Sequence, residues 1–140
     1  MTVSRTYTIN ISGDIKTITG FEAYGNEKLN SIHFGGLVNL RNVEMAWFVF
    51  ATETINLSRN RQLEHVNFLD LQGTKDILLP TNNVIRSIGI TGVQQLPTAV
   101  VDRLISRIYD SVKNAPRTGD FSLAKHPSIE DPAEGNPLRC

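Results

Sequence analysis

A hexapeptide pattern of hydrophobic and polar positions recurs along the first 90 residues of the chain. Its form is aliphatic-x-x-apolar-x-apolar in the clearest copies, and neighbouring copies start 11 or 12 residues apart. The eight copies begin at Thr6, Ile18, Leu29, Leu40, Thr52, Leu63, Thr74 and Ile85. Every copy is apolar at its fourth and sixth positions, which chance produces with a probability on the order of 10⁻⁷ at this hydrophobic content. The pattern therefore indicates an internal repeat.

Each copy predicts a short β-strand with one buried face, because a mostly polar residue separates the two apolar positions. All copies run in the same direction, which favours parallel stacking over an antiparallel sandwich. Two copies, 22 or 23 residues together, make one turn. The predicted fold is mainly β: a short, leucine-rich-repeat-like parallel β-solenoid of about four turns, with two short strands per turn. Copies 18, 40, 63 and 85 form one sheet, and copies 6, 29, 52 and 74 form the opposite one.

The chain after the repeats has a different periodicity. Apolar residues at helical spacing between Val101 and Val112 predict an amphipathic helix over 98–113. We expect this helix to cap the last rung, since an open solenoid end exposes its core; the alternative is a partner-binding helix. Four of the six prolines lie in 114–140, which predicts an extended tail with one short strand over 120–124. The expected organisation is one repeat domain over 1–113, with rungs over 6–95, followed by this tail.

The segment 52–63, TETINLSRNRQL, resembles a leucine-rich repeat of the form LxxLxLxxNxxL, with Asn60 at the asparagine position. Asn26 and Asn82 occupy the same position in their copies. The 22 to 23 residue period, without a helical half, is similar to divergent leucine-rich repeats of gut-bacterial surface proteins and of their phages. This resemblance implies a module that binds proteins or glycans, or that takes part in structural assembly, and it implies no catalytic residues.

Charge and cysteine content narrow the function classes. The 14 lysines and arginines equal the 14 aspartates and glutamates in number, which argues against a nucleic-acid partner. No signal-peptide or membrane-spanning pattern occurs, so we expect no membrane insertion and an intracellular or virion-associated location, unless the chain is a fragment of a surface protein. The single cysteine, Cys140, is a free thiol or an interchain link. With no catalytic motif, we expect a non-enzyme without cofactors.

The run from Met45 to Ala51 carries the candidate partner-binding site. The repeat register leaves Trp47 and Val49 facing outward at a bend, with Tyr24 and Leu69 near them on adjacent rungs. Exposed aromatic and aliphatic side chains in one patch are typical of an interface core, so we predict binding of a protein partner or self-association here. The alternatives are that the bend folds Trp47 inward, or that the helix or tail covers it.

A polar ladder supports a second hypothesis, a glycan-binding module that also uses Tyr24 or Trp47. Its uncharged or weakly basic outward residues include Asn10, His33, Thr54 and Asn56. Such side chains suit hydrogen bonding to sugars, but any solvated sheet face carries them as well.

A third, weaker hypothesis concerns metal binding or acid–base chemistry. Glu22 and Glu44 take equivalent outward positions on neighbouring rungs, with His65 beside them. Two stacked carboxylates next to a histidine could bind a cation or share a proton. Surface carboxylates more often point apart into water, so we predict no metal site.

Overall fold

The computed structural model describes residues 7–25, 31–49, 54–92 and 96–124. Its strands and helix are β1 (Gly20–Tyr24), β2 (Asn42–Val49), β3 (Thr54–Asn56), β4 (His65–Gln72), β5 (Asp76–Leu78), β6 (Ser87–Thr91), α1 (Thr98–Asn114) and β7 (Asp120–Ala124). A short 3-10 turn over Ile15–Thr17 precedes them. The strands form a five-stranded sheet in the order β1-β2-β4-β6-β7 and a two-stranded sheet of β3 and β5. All pairings are parallel, so the fold is mixed α/β with parallel sheets.

The register of the large sheet follows the repeat. Its strands align the fourth positions of alternate copies, and β7 continues the column. This column consists of Phe21, Val43, Val66, Ile88 and Phe121. In the small sheet, Ile55 pairs with Ile77 in the same way. The predicted parallel stacking and the grouping of alternate copies are therefore confirmed for the strands that form.

The first copy departs from the prediction. Residues 7–11 form no strand, and Ile9 is 89% exposed, so its predicted burial is wrong. Residues 31–34 of the next copy in the same predicted sheet also lie outside any strand. A strand buries its face only beside a paired neighbour, and here the 7–11 segment has no ladder to join. Phe34 is still buried, where its ring meets Phe21 edge-on at a centroid distance of 5.2 Å.

Two turns of the chain repeat with the same hydrogen bonds. In the first, the Leu37 amide donates to the Phe34 carbonyl at 2.9 Å and the Leu40 amide donates to the Leu37 carbonyl at 3.1 Å. The second turn, over residues 57–63, repeats both bonds at Asn60 and Leu63. The two turns are 23 residues apart, which is the predicted period.

Asn60, at the asparagine position of the repeat, connects two turns through its side chain. Its buried side-chain amide donates to the carbonyls of Phe34 and Leu37, at 2.9 and 2.8 Å, and so ties one turn to the previous one. Asn26 lies outside the described residues. The assignment of Asn82 is wrong: it is exposed, whereas Asn83 is buried and donates to the Pro80 carbonyl at 3.2 Å. This turn is shifted by one residue relative to the repeat.

The helix connects β6 to β7 and packs beside β5 through buried Val100 and Leu104, with an ion pair between Arg103 and Asp76. The last turn is thus covered in two ways: the helix packs beside β5, and β7, at the position predicted for a short strand, pairs with β6. Within the described residues, no helix combines the length and the apolar content required to cross a bilayer.

Arg117, between α1 and β7, fixes this end of the molecule. It donates to the Ile85 carbonyl at 2.6 Å and to the side chains of Asn83 and Ser111 at 3.0 and 3.1 Å. Burial, followed by the nearby charge of Arg86, lowers the pKa of Arg117 below its usual value. The hydrogen bonds tie the chain after the helix to the last repeat turn.

Candidate functional site

The large sheet ends in a corner that has the same backbone conformation on four neighbouring strands. The residues that follow the aligned positions 24, 46, 69 and 91 all have positive φ. They are Gly25, Trp47, Asp70 and Gly92, with φ of 63°, 60°, 51° and 73°. Glycine adopts this left-handed region without a Cβ penalty, and two of the four positions have glycine. At the other two positions, Trp47 and Asp70 form no ladder pair with each other, although the pairs on either side, Ala46–Leu69 and Phe48–Leu71, are present.

Trp47 is the exceptional residue of this corner. A bulky side chain in the left-handed region costs about 1–2 kcal/mol of backbone strain. Its indole is nevertheless 55% exposed, so core packing does not compensate for that strain. Trp47 therefore faces outward at the bend and does not fold inward; the tail beyond residue 124, which was proposed as a possible cover, lies outside the described residues. Neither the backbone nor the core therefore explains why a tryptophan stands here, and strained residues of this kind cluster at functional sites.

Tyr24 lies beside Trp47. The ring centroids are 6.2 Å apart with an interplanar angle of 47°, and Tyr24 is itself 49% exposed. A hydrogen bond to the Glu44 carboxylate raises the pKa of Tyr24; partial burial and the charges of Glu44 and Glu22 add to this increase. The ring contact makes the two aromatic side chains neighbours on one surface.

The other residues predicted for this patch are placed differently. Leu69 is half-buried and pairs with Ala46, directly before Trp47, and Ala46 is buried. Val49 pairs with Gln72 through its backbone, and its side chain lies outside the described part of the structure. Among the patch side chains that the structure describes, the exposed ones are therefore those of Tyr24 and Trp47.

The carboxylates of Glu22 and Glu44 lie beside Tyr24. Glu22 pairs with Glu44 across β1 and β2, and Glu22 shares a sheet face with Tyr24, two residues on. The five strands of the large sheet contain four carboxylates, those of Glu22, Glu44, Asp70 and Asp120. These strands contain no lysine and no arginine. The sheet is thus anionic, although the whole chain has no net charge.

The carboxylates do not assemble a metal centre. Among the described residues, no group of three or more histidine, cysteine, aspartate or glutamate side chains could hold a metal ion. His65 pairs with Asn42, two residues before Glu44 on β2, so it takes no part in the Glu22–Glu44 pair.

The polar ladder is only partly present. Thr54 and Asn56 are exposed on β3, whereas Asn10 and His33 lie outside any strand. The Asn56 side-chain oxygen accepts hydrogen bonds from the Ser58 amide at 3.0 Å and from the Ser58 hydroxyl at 2.6 Å. The small sheet therefore presents two of the four proposed glycan-binding residues together, and one of these already has local partners.

No protein-family model, no curated protein and no solved structure matches the chain. The similarity to leucine-rich repeats therefore rests on the residues of this chain alone.

Proposed function

We propose that this chain is a non-enzymatic protein-binding or assembly module whose binding surface is centred on Tyr24 and Trp47. The observation that carries the proposal is the exposed indole of Trp47 on a left-handed backbone. At the equivalent corner positions, directly after β1 and β6, the chain has Gly25 and Gly92, and glycine is the least strained residue for this conformation. A tryptophan that adds strain and stays exposed is best explained by contact with another molecule.

We propose further that the scaffold is a short parallel β-solenoid of the leucine-rich-repeat type. The 23-residue repetition of the hydrogen-bonded turns and the amide of Asn60 between successive turns support this description. The parallel columns of inward residues support it as well. In such a scaffold each turn is fixed by its neighbours, so a surface on one corner is rigid before binding.

Rigidity is what an efficient binding surface requires. Trp47 lies on β2, which is paired on both edges, with β1 and with β4. Aromatic side chains provide a large contact area with few torsions to order, and tryptophan and tyrosine are enriched among residues that dominate binding energies. The same surface suits a component of a larger assembly, such as a phage particle or a cell-surface structure.

A glycan-binding module is the alternative. The exposed aromatic pair could stack on a sugar ring, but the polar residues proposed for hydrogen bonding are on β3, in the other sheet, or outside any strand. The Tyr24–Trp47 surface is flanked by carboxylates instead. The geometry therefore favours a protein partner over a neutral glycan.

Selection of binders on two versions of the protein tests this proposal. A displayed random peptide library is selected on the wild-type chain and, in parallel, on the Trp47→Gly variant, whose fold is checked by circular dichroism. We expect peptides that bind the wild type and not the variant. If every selected peptide binds both proteins equally, the proposed surface is wrong. Glycan-array binding that disappears in the variant, without such peptides, would establish the alternative.

A further inference from the structure

We propose that the Tyr24–Trp47 surface recognises an arginine side chain of its protein partner. In this arrangement the guanidinium group stacks on an exposed ring face, and the carboxylates of Glu22 and Glu44 accept its hydrogen bonds. This inference rests on the proposed function and adds the chemical class of the bound group.

Charge complementarity is the first argument. Glu22 and Glu44 lie beside Tyr24, and β1 and β2 contain no basic residue, so the site presents a negative potential to an approaching partner. Glu22 and Glu44 are directly opposite on parallel strands about 4.8 Å apart. Like charges in such a pair repel each other, and a cation between them removes that repulsion.

The remaining hydrogen-bonding capacity is the second argument. The Glu44 carboxylate accepts a hydrogen bond from Tyr24. A carboxylate has about four acceptor sites, so this bond leaves Glu44 able to accept from a ligand. No hydrogen bond joins Glu22 and Glu44, since two ionised carboxylates have no proton to donate. Both groups can therefore accept hydrogen bonds from a ligand on this face.

The aromatic pair supplies the third argument, because a cation is attracted to the face of a tryptophan or tyrosine ring. A planar group between two rings needs centroids about 7 Å apart, twice the usual carbon–carbon contact distance of about 3.5 Å. The Tyr24 and Trp47 rings are 6.2 Å apart and tilted by 47°, so they do not form a two-sided cage. The guanidinium group must then stack on an outer ring face, and the Tyr24 ring lies on the same sheet face as Glu22.

This geometry favours arginine over lysine. Arginine has a planar group that stacks on one ring face and donates in its own plane to carboxylates, whereas the lysine ammonium is a compact and strongly hydrated charge. A quaternary ammonium group could use the rings but would leave both carboxylates without a hydrogen-bond donor.

Peptides selected through Trp47 provide the test. We expect arginine to be enriched in them, and replacement of the essential arginine by citrulline, its neutral analogue, to weaken binding by about tenfold or more. Binding is measured from the emission of Trp47, the only tryptophan of the chain, during titration with each peptide. Lysine at the same position should weaken binding less than citrulline does.

Variants of the protein test whether Glu22 and Glu44 are the carboxylates that bind the arginine. Glu22→Gln and Glu44→Gln should each weaken the arginine peptide several-fold and leave the citrulline peptide nearly unchanged, because glutamine keeps the size and an acceptor oxygen but removes the charge. Asp102→Asn makes the same charge change at an exposed position of α1 and should leave both peptides unaffected.

The outcomes separate the two proposals. Peptides that require Trp47 but lack arginine, or that bind equally well with citrulline, would overturn the arginine assignment and leave the protein-binding surface intact. Equal effects of Asp102→Asn and of the two glutamine variants would also overturn it, since the attraction would then come from net charge alone. If no peptide depends on Trp47, both proposals fail.

Discussion

The left-handed backbone at Trp47 should reverse the usual order of stability between a glycine and an alanine variant. At an ordinary strand position, glycine is less stable than alanine by about 0.5–1 kcal/mol, because it loses more backbone freedom on folding. Trp47 has a φ of 60°, where any residue with a Cβ is strained. We therefore expect Trp47→Gly to be more stable than Trp47→Ala.

The magnitude follows from what each variant loses and gains. Both variants remove the indole, of which rather less than half is buried. Loss of about 80 Å² of buried apolar surface costs about 2 kcal/mol at about 25 cal/mol per Å². Trp47→Ala keeps the Cβ strain of about 1–2 kcal/mol, whereas Trp47→Gly releases it but loses about 0.5–1 kcal/mol in backbone entropy, which leaves a net advantage of about 1 kcal/mol for glycine. The expected losses in the free energy of unfolding are about 2 kcal/mol for alanine and about 1 kcal/mol for glycine.

Urea denaturation followed by circular dichroism measures both values without a tryptophan signal. Asn67, exposed on β4 and outside the positive-φ residues, is the matched control position. At this control position, Asn67→Ala should be more stable than Asn67→Gly. If alanine is also the more stable replacement at Trp47, the left-handed corner is wrong. A loss of about 3–5 kcal/mol for Trp47→Ala would instead indicate a buried indole.

Three other perturbations test the contacts around this corner and the turn below it. In a spectrophotometric titration of the tyrosines, Tyr24 should lose its proton at a higher pH than an ordinary tyrosine, and Glu44→Gln should lower that pKa; an unchanged pKa would show that the carboxylate is not its partner. Because the folded-state pKa is raised, the stabilising contribution of this bond is complete below pH of about 10 and disappears as the pH rises through the raised value. Asn60→Ala should cost about 1–3 kcal/mol in denaturant unfolding, because the Phe34 and Leu37 carbonyls each lose one of their two donors; a loss under about 0.5 kcal/mol would contradict this. Gly92→Ala places a Cβ 1.8 Å from the Asp70 Oδ1 atom and should lower the melting temperature. Adding Asp70→Gly removes this clash and should restore part of the melting temperature, but not all of it, because a φ of 73° remains unfavourable for alanine. Full restoration would show that the backbone conformation has no effect.

The repeat pattern predicts the parallel register of the large sheet correctly because period-2 alternation alone decides which side chains face inward. It fails at residues 7–11, where Ile9 has the right pattern but no neighbouring strand to pair with. Pairing is a tertiary property that one segment does not contain. The shift from Asn82 to Asn83 has a similar origin, since the exact turn position depends on packing against α1: the Asn83 amide also donates to the Arg107 carbonyl at 3.4 Å.

The bend at Trp47 was predicted from sequence, but its left-handed backbone was not, although a partial signal exists. Gly25 and Gly92 take the same position in their copies as Trp47 and Asp70, and glycine at two of four aligned positions is a sign of a left-handed conformation. A tryptophan and an aspartate at the other two hide that sign, because neither residue type favours the conformation strongly enough to reveal it. The exposure of Trp47 was likewise an open alternative, since periodicity assigns a side chain to a face but not to solvent.

Net charge gave an incomplete description of the electrostatics for a related reason. Equal numbers of acidic and basic residues predict no nucleic-acid partner, but they say nothing about how the charges are distributed. In the described residues, every lysine and arginine lies outside the strands, whereas the large sheet has only carboxylates. A phosphate backbone would be repelled by that face, so the absence of a nucleic-acid partner remains a prediction with a local physical reason. The same separation of charge makes a cationic protein segment the complementary ligand for the Tyr24–Trp47 surface, which a sum over the whole chain could not indicate.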